Sequence, residues 1–231
     1  MKGRLFEYPP KAAFGRVLPK SKVFAFGKVT RRLRDLFATE IDKIVWQFKL
    51  APETVNLPAG PGVTEIQVFV VNLKPGVKEL TEDILYCIDA AIGFPIIFEV
   101  TAPGGKGDRV RVVALYKRPS EADSSKWVVG EYFSTEWMPA DTKRSPLPVA
   151  LNLTSLYEQL LRQLTPLASR SGETLQDLVE RHRLTAMKQR EVARLEARLK
   201  REKQFNRKVE LNAQVRAIKA EVESLASGKA L

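Results

Sequence analysis

Few residues in this chain could do chemistry, and their spacing suits few reactions. It has one cysteine, Cys87, and one histidine, His182. Zinc sites draw about four ligands from Cys, His and carboxylates, so the usual zinc patterns are excluded. A lone thiol also excludes an internal disulfide and fits a reducing compartment. Cys87 lies in an apolar, helix-like run and reads as a small core residue. Its only possible imidazole partner, His182, stands in the C-terminal arm, so neither Cys–His nor Ser–His–Asp catalysis has its parts. The turn Gly104-Gly105-Lys106-Gly107 resembles a phosphate cradle in composition. It lacks the P-loop spacing and falls between two strands, which makes it a hairpin loop. A restriction-type nuclease would hold a divalent ion with an Asp and a following Glu-x-Lys. No strand carries that triplet: Glu65 is followed by Ile66-Gln67 and Glu99 by Val100-Thr101. Glu65 with Glu99 is the one degenerate nuclease-like pair left. No cofactor and no metal ligand set is expected.

The other chemistry on offer is positive charge. The formal net charge is +11 and the pI near 9.8, a balance that favours nucleic acid, then an acidic protein, then a membrane surface. From Arg181 to Lys208 there are eleven basic residues against only Glu191, Glu196 and Glu202. Pairs such as Glu196–Lys200 at i,i+4 would neutralise a few of them. The surplus suits a phosphate backbone or an acidic partner. Arg190, Arg194, Arg198, Lys200, Arg201, Lys203, Arg207 and Lys208 are the candidate nucleic-acid contacts, with Arg31, Arg32 and Arg34 as a second basic face near the N-terminus. These cations are spread around the helix rather than gathered on one edge with Asn or Gln. That favours phosphate contact over base readout. Phe205 is the only aromatic residue in the arm, which leaves base stacking little to work with.

The elements that position these residues can be read in part. Glu173 to Ser227 contains no Gly and no Pro and is rich in helix formers. Thr174 with Asp177 approximates a capping box, and Gly228 fits a helix stop. Unbroken, this helix would be roughly 80 Å long at 1.5 Å per residue. Leu211, Val215, Ile218, Val222 and Leu225 follow the four–three spacing of a coiled-coil seam. Val192, Leu195 and Leu199 form an upstream stripe. Lys200 to Gln204 interrupts it, and Phe205 and Val209 restart it out of phase, as at a stutter, a bend or a change of partner.

Before the arm, residues 1–150 are long enough for a sizeable core, and 151–231 form a helical region. Residues 1–27 read as an extended lead-in. Thr30 to Ala38 is expected to be a short helix, and Ile41 to Leu50 a second one, since Ile41, Ile44, Val45 and Phe48 recur at helical spacing. Strands are expected at Glu65–Leu73, Pro95–Val100, Arg109–Lys117 and Trp127–Ser134. A helix follows Thr81, so that the first two strands enclose a parallel crossover. Arg118 to Lys126 is a polar loop, Pro139 to Pro148 a linker, and Thr154 to Leu164 an amphipathic helix packed on the domain. The fold class is therefore α/β, with α+β also open. It is a mixed β-sheet sandwich with flanking helices, followed by a long coiled-coil arm. No apolar run reaches membrane-spanning length and no apolar leader stands at the N-terminus, so the expected location is cytoplasmic.

Ile41 to Leu57 (IDKIVWQFKLAPETVNL) resembles the most recognisable block of an uncharacterised bacterial family, domain of unknown function 4391. Phe94 to Phe98, Ala114 to Lys117 and Lys203 to Asn212 are similar to three further blocks of it. The resemblance implies a setting beside helicases and DNA methyltransferases of restriction-like defence systems. It implies no catalytic residues. On this reading the protein is a non-enzymatic accessory or adaptor subunit of a bacterial DNA-targeting, phage-defence assembly. It docks on a helicase or methyltransferase, with its basic arm near duplex DNA. The alternatives are a coiled-coil scaffold that self-assembles without nucleic acid, and a divergent metal-dependent nuclease using Glu65 and Glu99.

Overall fold

The computed structural model describes residues 5–25, 29–105, 107–119 and 127–227. The expectations for Met1 to Arg4, Lys106, the loop residues 120–126 and Gly228 lie outside the described residues. The chain divides into two compact units, Met1–Leu164 and Thr165–Leu231.

The first unit is built on a mixed sheet. β1 (Phe6–Glu7) leads through a 3-10 turn to β2 (Ala13–Val17), α1 (Lys20–Ala25), α2 (Arg31–Glu40) and β3 (Ile41–Leu50). Then come α3 (Pro52–Val55), β4 (Ile66–Leu73), α4 (Glu82–Ala91), β5 (Ile96–Ala102), β6 (Arg109–Pro119) and β7 (Trp127–Ser134). β8 (Met138–Pro139), β9 (Ser145–Pro146) and α5 (Leu153–Leu164) complete it. The main sheet runs β2-β3-β4-β5-β6-β7, with β8 added beside β6, while β1 and β9 form a separate parallel pair. β4 and β5 are parallel, joined through α4, and the other neighbours in the main sheet are antiparallel. α1, α2 and α4 contribute Val23, Phe37, Ile84, Leu85 and Ile88 to one core, over Ile44, Phe69, Val71, Phe98, Val100 and Val113. By strand alternation Val68, Ile97, Val112 and Ala114 point to the opposite face. α5 packs on β6 and β7 and buries Leu156, Tyr157, Leu160 and Leu161, so it belongs with this unit.

The expected helix at Ile41–Leu50 is a correction: this segment is β3. Half of its residues are β-branched or aromatic, which suits a pleated surface. The ladder to β4 slips between Ile41 and Lys43 and again between Trp46 and Phe48. Each extra residue resets the inside–outside alternation. Buried positions therefore fall at Ile41, Ile44 and Leu50, a spacing that imitates a helix. No turn separates it from α2. Ile41 closes that helix with extended backbone at φ −101° and starts the strand. The carboxylate of Glu40 then accepts bonds from the Thr81 amide (2.8 Å) and hydroxyl (2.6 Å), which pins the α2 end to the α4 start.

The lead-in and the linker also acquire roles. Phe14 of β2 lies against Trp46, ring centres 4.2 Å apart. In the linker, Arg144 donates to the carbonyl of Phe6 (2.7 Å) beside the β1–β9 pair.

The second unit is a pair of helices, α6 (Leu175–Arg201) and α7 (Phe205–Ala226), about 40 Å and 33 Å long. The arm is thus not one continuous helix. Glu202 and Gln204 take extended backbone, φ −68° and −79°, and the chain reverses without a glycine. Contacts run in opposite order along the two helices: Arg181 with Leu225, Lys188 with Glu221 and Glu196 with Lys219. The helices are therefore antiparallel.

Candidate nucleic-acid interface

Acid–base and metal chemistry finds little support in the sheet unit. Glu99, 2 % exposed, is gripped by both terminal nitrogens of Arg144 at 2.8 and 2.7 Å. Glu65 bonds Lys49 at 3.3 Å and takes a hydrogen bond from Gln67 at 2.7 Å. In the β4–β5 ladder Glu99 stands opposite Val70, five residues along the chain from Glu65, or about 16 Å of strand. The expected Glu65–Glu99 pair is therefore not assembled. Among the described residues, no three His, Cys, Asp or Glu side chains gather where they could hold a metal ion. The glycine turn joins β5 to antiparallel β6, with the Gly107 amide donating to the Gly104 carbonyl at 3.1 Å. A Cβ on Gly104 would meet the carbonyl oxygen of Gly107 at 2.6 Å, so this close backbone approach explains the glycine there. Cys87, half-buried on α4, has its thiol pKa pushed up by burial, which makes it a poorer nucleophile.

One buried polar group escapes sequence reasoning. Asp89 sits on the inward face of α4, next to Ile88. Its Oδ1 lies 2.5 Å from Lys117 Nζ, and its Oδ2 accepts the Tyr132 hydroxyl at 2.5 Å. Lys117 also donates to the carbonyls of Asp89 (3.2 Å) and Phe94 (3.4 Å). Burial pushes the Asp89 carboxyl up, opposed by Lys117 and Tyr132. Burial, then Asp89, pushes the Tyr132 phenol up. A cavity of about 250 Å³ adjoins the network, lined by Tyr86, Ala90, Ile92, Gly93 and Leu115. Lys117 spends its charge on Asp89 and on backbone carbonyls, so this ion pair holds α4 to β6. The sequence signal was a lone carboxylate on an apolar helix face matched by a lone lysine in an apolar strand.

The charge that remains available is in the second unit. Its base is tightly bonded. Thr174 caps α6 by accepting from the Asp177 amide at 3.1 Å, as its spacing indicated. Arg181, 5 % exposed, donates to both oxygens of Glu173 (2.6 and 2.8 Å) and to the carbonyls of Ala168 (2.8 Å) and Leu225 (2.7 Å). Arg170 donates to the carbonyls of Ser224 (2.7 Å) and Ser227 (3.2 Å). Two arginines thereby satisfy carbonyls at the end of α7 that the helix leaves unpaired. Hydrogen bonds from Arg181 hold the Glu173 carboxyl below its usual range, against some desolvation. Of the residues at seam spacing, Leu211 and Val215 are buried and Ile218, Val222 and Leu225 half-buried, with Val192 buried on α6.

The tip is the reverse. Arg190, Arg194, Arg198, Lys200, Arg201, Lys203, Arg207 and Lys208 are all exposed. The last six stand on the final turn of α6, the reversal and the first turn of α7. Among the described residues, none of these six forms an ion pair with a carboxylate. Glu202 is the lone acid between Arg198 and Lys208, and its Oε1 accepts the amides of Lys203 (2.8 Å) and Gln204 (2.9 Å). Those bonds hold its carboxyl low. At the end of α6, Arg198, Lys200 and Arg201 complement the helix dipole. At the start of α7, Arg207 and Lys208 oppose it, Gln204 supplies no side-chain cap and no acid lies in the first turn. Phe205 opens α7 and is 78 % exposed, and Val209, one turn on, is 52 % exposed. The out-of-phase residues of the sequence are therefore the ones the reversal turns toward solvent.

In the first unit Arg31, Arg32 and Arg34 are exposed on α2, with the Arg34 guanidinium 5.6 Å from the Phe24 ring centre. Among the described residues, no helix is long and apolar enough to cross a membrane. Neither the curated proteins nor the solved structures yield a match. A family model described as a domain of unknown function (DUF4391) matches residues 6–222, nearly the whole of both units, and the chain belongs to that family.

Proposed function

We propose that this protein is a non-enzymatic accessory subunit of a DNA-targeting, restriction-like defence assembly, and that the helical hairpin supplies its contact with the DNA backbone. One observation carries the reading: six exposed cations crowd the α6–α7 reversal, and among the described residues none of them forms an ion pair with a carboxylate. Clustered like charges repel, and a phosphate backbone offers the compensation that the chain withholds. The buried acids support the non-enzymatic part, because Glu99 and Asp89 are already neutralised by Arg144 and Lys117. In this reading the two helices form an antiparallel coiled-coil support for the tip. The sheet unit, with Val149 and Leu151 exposed at 92 % and 85 %, meets the helicase or methyltransferase partner.

The test is a gel-shift titration on duplex DNA across a salt series. Wild type is compared with Arg194→Glu, Arg198→Glu and Arg201→Glu combined. Neutralisation of roughly four phosphates gives a slope of log K against log salt near −3.6. The triple variant is expected to flatten that slope while keeping the wild-type melting curve, since all three residues lie outside the seam. Equal slopes would move the contact elsewhere, with Arg31, Arg32 and Arg34 next to be tested. Absence of binding by both forms at low salt would reject nucleic acid as the partner.

A further inference from the structure

The tip combines its cations with a bare aromatic ring, and the two together specify a form of nucleic acid. Several aromatic rings of the first unit find partners: Tyr8 lies against Phe48, Phe24 against Phe37, and Trp46 against Phe14 and Phe69. Among the described residues Phe205 has no ring partner, and it is the aromatic side chain most exposed to solvent. Val209 extends its apolar surface by one turn on the same face, since residues four apart on a helix are neighbours. Lys203, Arg207 and Lys208 flank this patch in sequence, with Arg201 across the reversal. Cores of protein–protein interfaces are enriched in aromatic residues and arginine but depleted of lysine, so Lys203 and Lys208 beside the ring are a poor match to a protein anchor. An aromatic platform beside backbone-holding cations is instead the equipment of sites that take unpaired bases. In continuous duplex every base face is covered by its neighbours in the stack. Bare faces occur where strands end, fray or separate.

We infer that the α6–α7 reversal recognises nucleic-acid ends and forks: an unpaired or terminal base stacks on Phe205 while Arg201, Lys203, Arg207 and Lys208 hold the phosphates on either side. This rests on the reading of the tip as a nucleic-acid contact and names the form of substrate that it selects. The backbone of α7 begins at Phe205, so the ring is fixed to the first helical residue rather than to a long loop. Asn206, exposed beside it in sequence, adds a side-chain donor and acceptor.

The experiment uses the full chain and a fluorescent forked DNA, displaced either by unlabelled fork or by relaxed, covalently closed circular DNA at equal nucleotide concentration. A second fork carries 2-aminopurine at its first unpaired position. Wild type is expected to prefer the fork over the closed circle about tenfold, within the range of one base–aromatic stack, and to quench the 2-aminopurine. Phe205→Ala is expected to lose the preference and the quenching and to keep the salt slope, and Phe205→Trp to keep all three. Phe205 is exposed, so neither substitution disturbs the hairpin core. Equal competition by fork and circle for wild type, or a preference that survives Phe205→Ala, would overturn the end-recognition proposal and leave backbone binding standing. Absence of binding to either DNA at low salt would overturn both, and an acidic protein or an anionic vesicle that binds instead would name the replacement.

Discussion

The two ends of the helical hairpin use the same residue types for opposite purposes. At the base, Arg181 and Arg170 are engaged by Glu173 and by carbonyls of Ala168, Ser224, Leu225 and Ser227. At the tip, Arg198, Arg201 and Arg207 are exposed and make no ion pair among the described residues. The base repeats what the sheet unit does with Arg144–Glu99 and Lys117–Asp89. Net charge alone does not mark a binding surface. An arginine that meets buried acceptors holds the fold, and one left facing water is free to hold something else.

Breaking a contact at each end gives the largest contrast. Arg181→Ala removes the guanidinium from the Glu173 carboxylate and from the carbonyls of Ala168 and Leu225, and breaking a buried pair of this kind typically costs about 3–5 kcal/mol. Arg201→Ala removes an exposed cation and is expected to stay within about 0.5 kcal/mol of wild type. Peptide-resolved hydrogen exchange on the full chain reads both. Arg181→Ala is expected to deprotect α6 and α7 and leave β4, β5 and β6 protected. Equal, small effects from both substitutions would show that the base is not the anchor.

Acid offers a smaller and more selective lever. Arg181 holds the Glu173 carboxyl below its unfolded value. A depressed carboxyl pKa contributes stability above the unfolded value, about 4.3, that is lost as pH falls through the folded one. Asp89 has the opposite shift, raised by burial, so its protonation on acidification favours the folded state as far as desolvation is concerned. Exchange measured from pH 6 down to about 3 should therefore show the hairpin base loosening below about pH 4.3 while the α4 contact to β6 holds. Simultaneous loss in both places would mean that Glu173 does not control the hairpin.

The contrast between base and tip was only half legible in the sequence. Thr174 with Asp177 announced the α6 start, and the buried runs of β4 and β5 with α4 between them announced a parallel crossover. β6, β7, α2 and α5 were legible for the same reason, because each is a single uninterrupted pattern. β3 was not, since its two ladder slips give a strand the spacing of a helix. The linker was read from its prolines, yet its Arg144 closes on Glu99, a partner 45 residues earlier in the chain that no local pattern reveals. Phe205 looked like a lone aromatic midway along one helix. The reversal that carries it to a tip is made by Glu202 to Gln204 in extended backbone, with neither Gly nor Pro to signal it.

The smallest expected effect separates stability from function most cleanly. Lys208 lies in the first turn of α7, where the helix dipole is positive and no acid stands within the turn itself. Lys208→Glu places the preferred charge there and should stabilise the hairpin by a few tenths of a kcal/mol to about 1 at low salt. The same substitution removes a phosphate contact and adds a repulsive charge, so DNA affinity and salt slope should both fall. The melting temperature and the binding constant are thus expected to move in opposite directions, a pairing that simple damage to the fold cannot produce. Removing positive charge at the base has no such signature, because loss of Arg181 lowers both. If Lys208→Glu raises the melting temperature and leaves the salt slope untouched, Lys208 serves solubility alone and the phosphate contact retreats to the α6 side of the reversal. If it lowers the melting temperature, the electrostatic account of the α7 start is wrong, and the tip cations are better placed for the fold than this geometry allows.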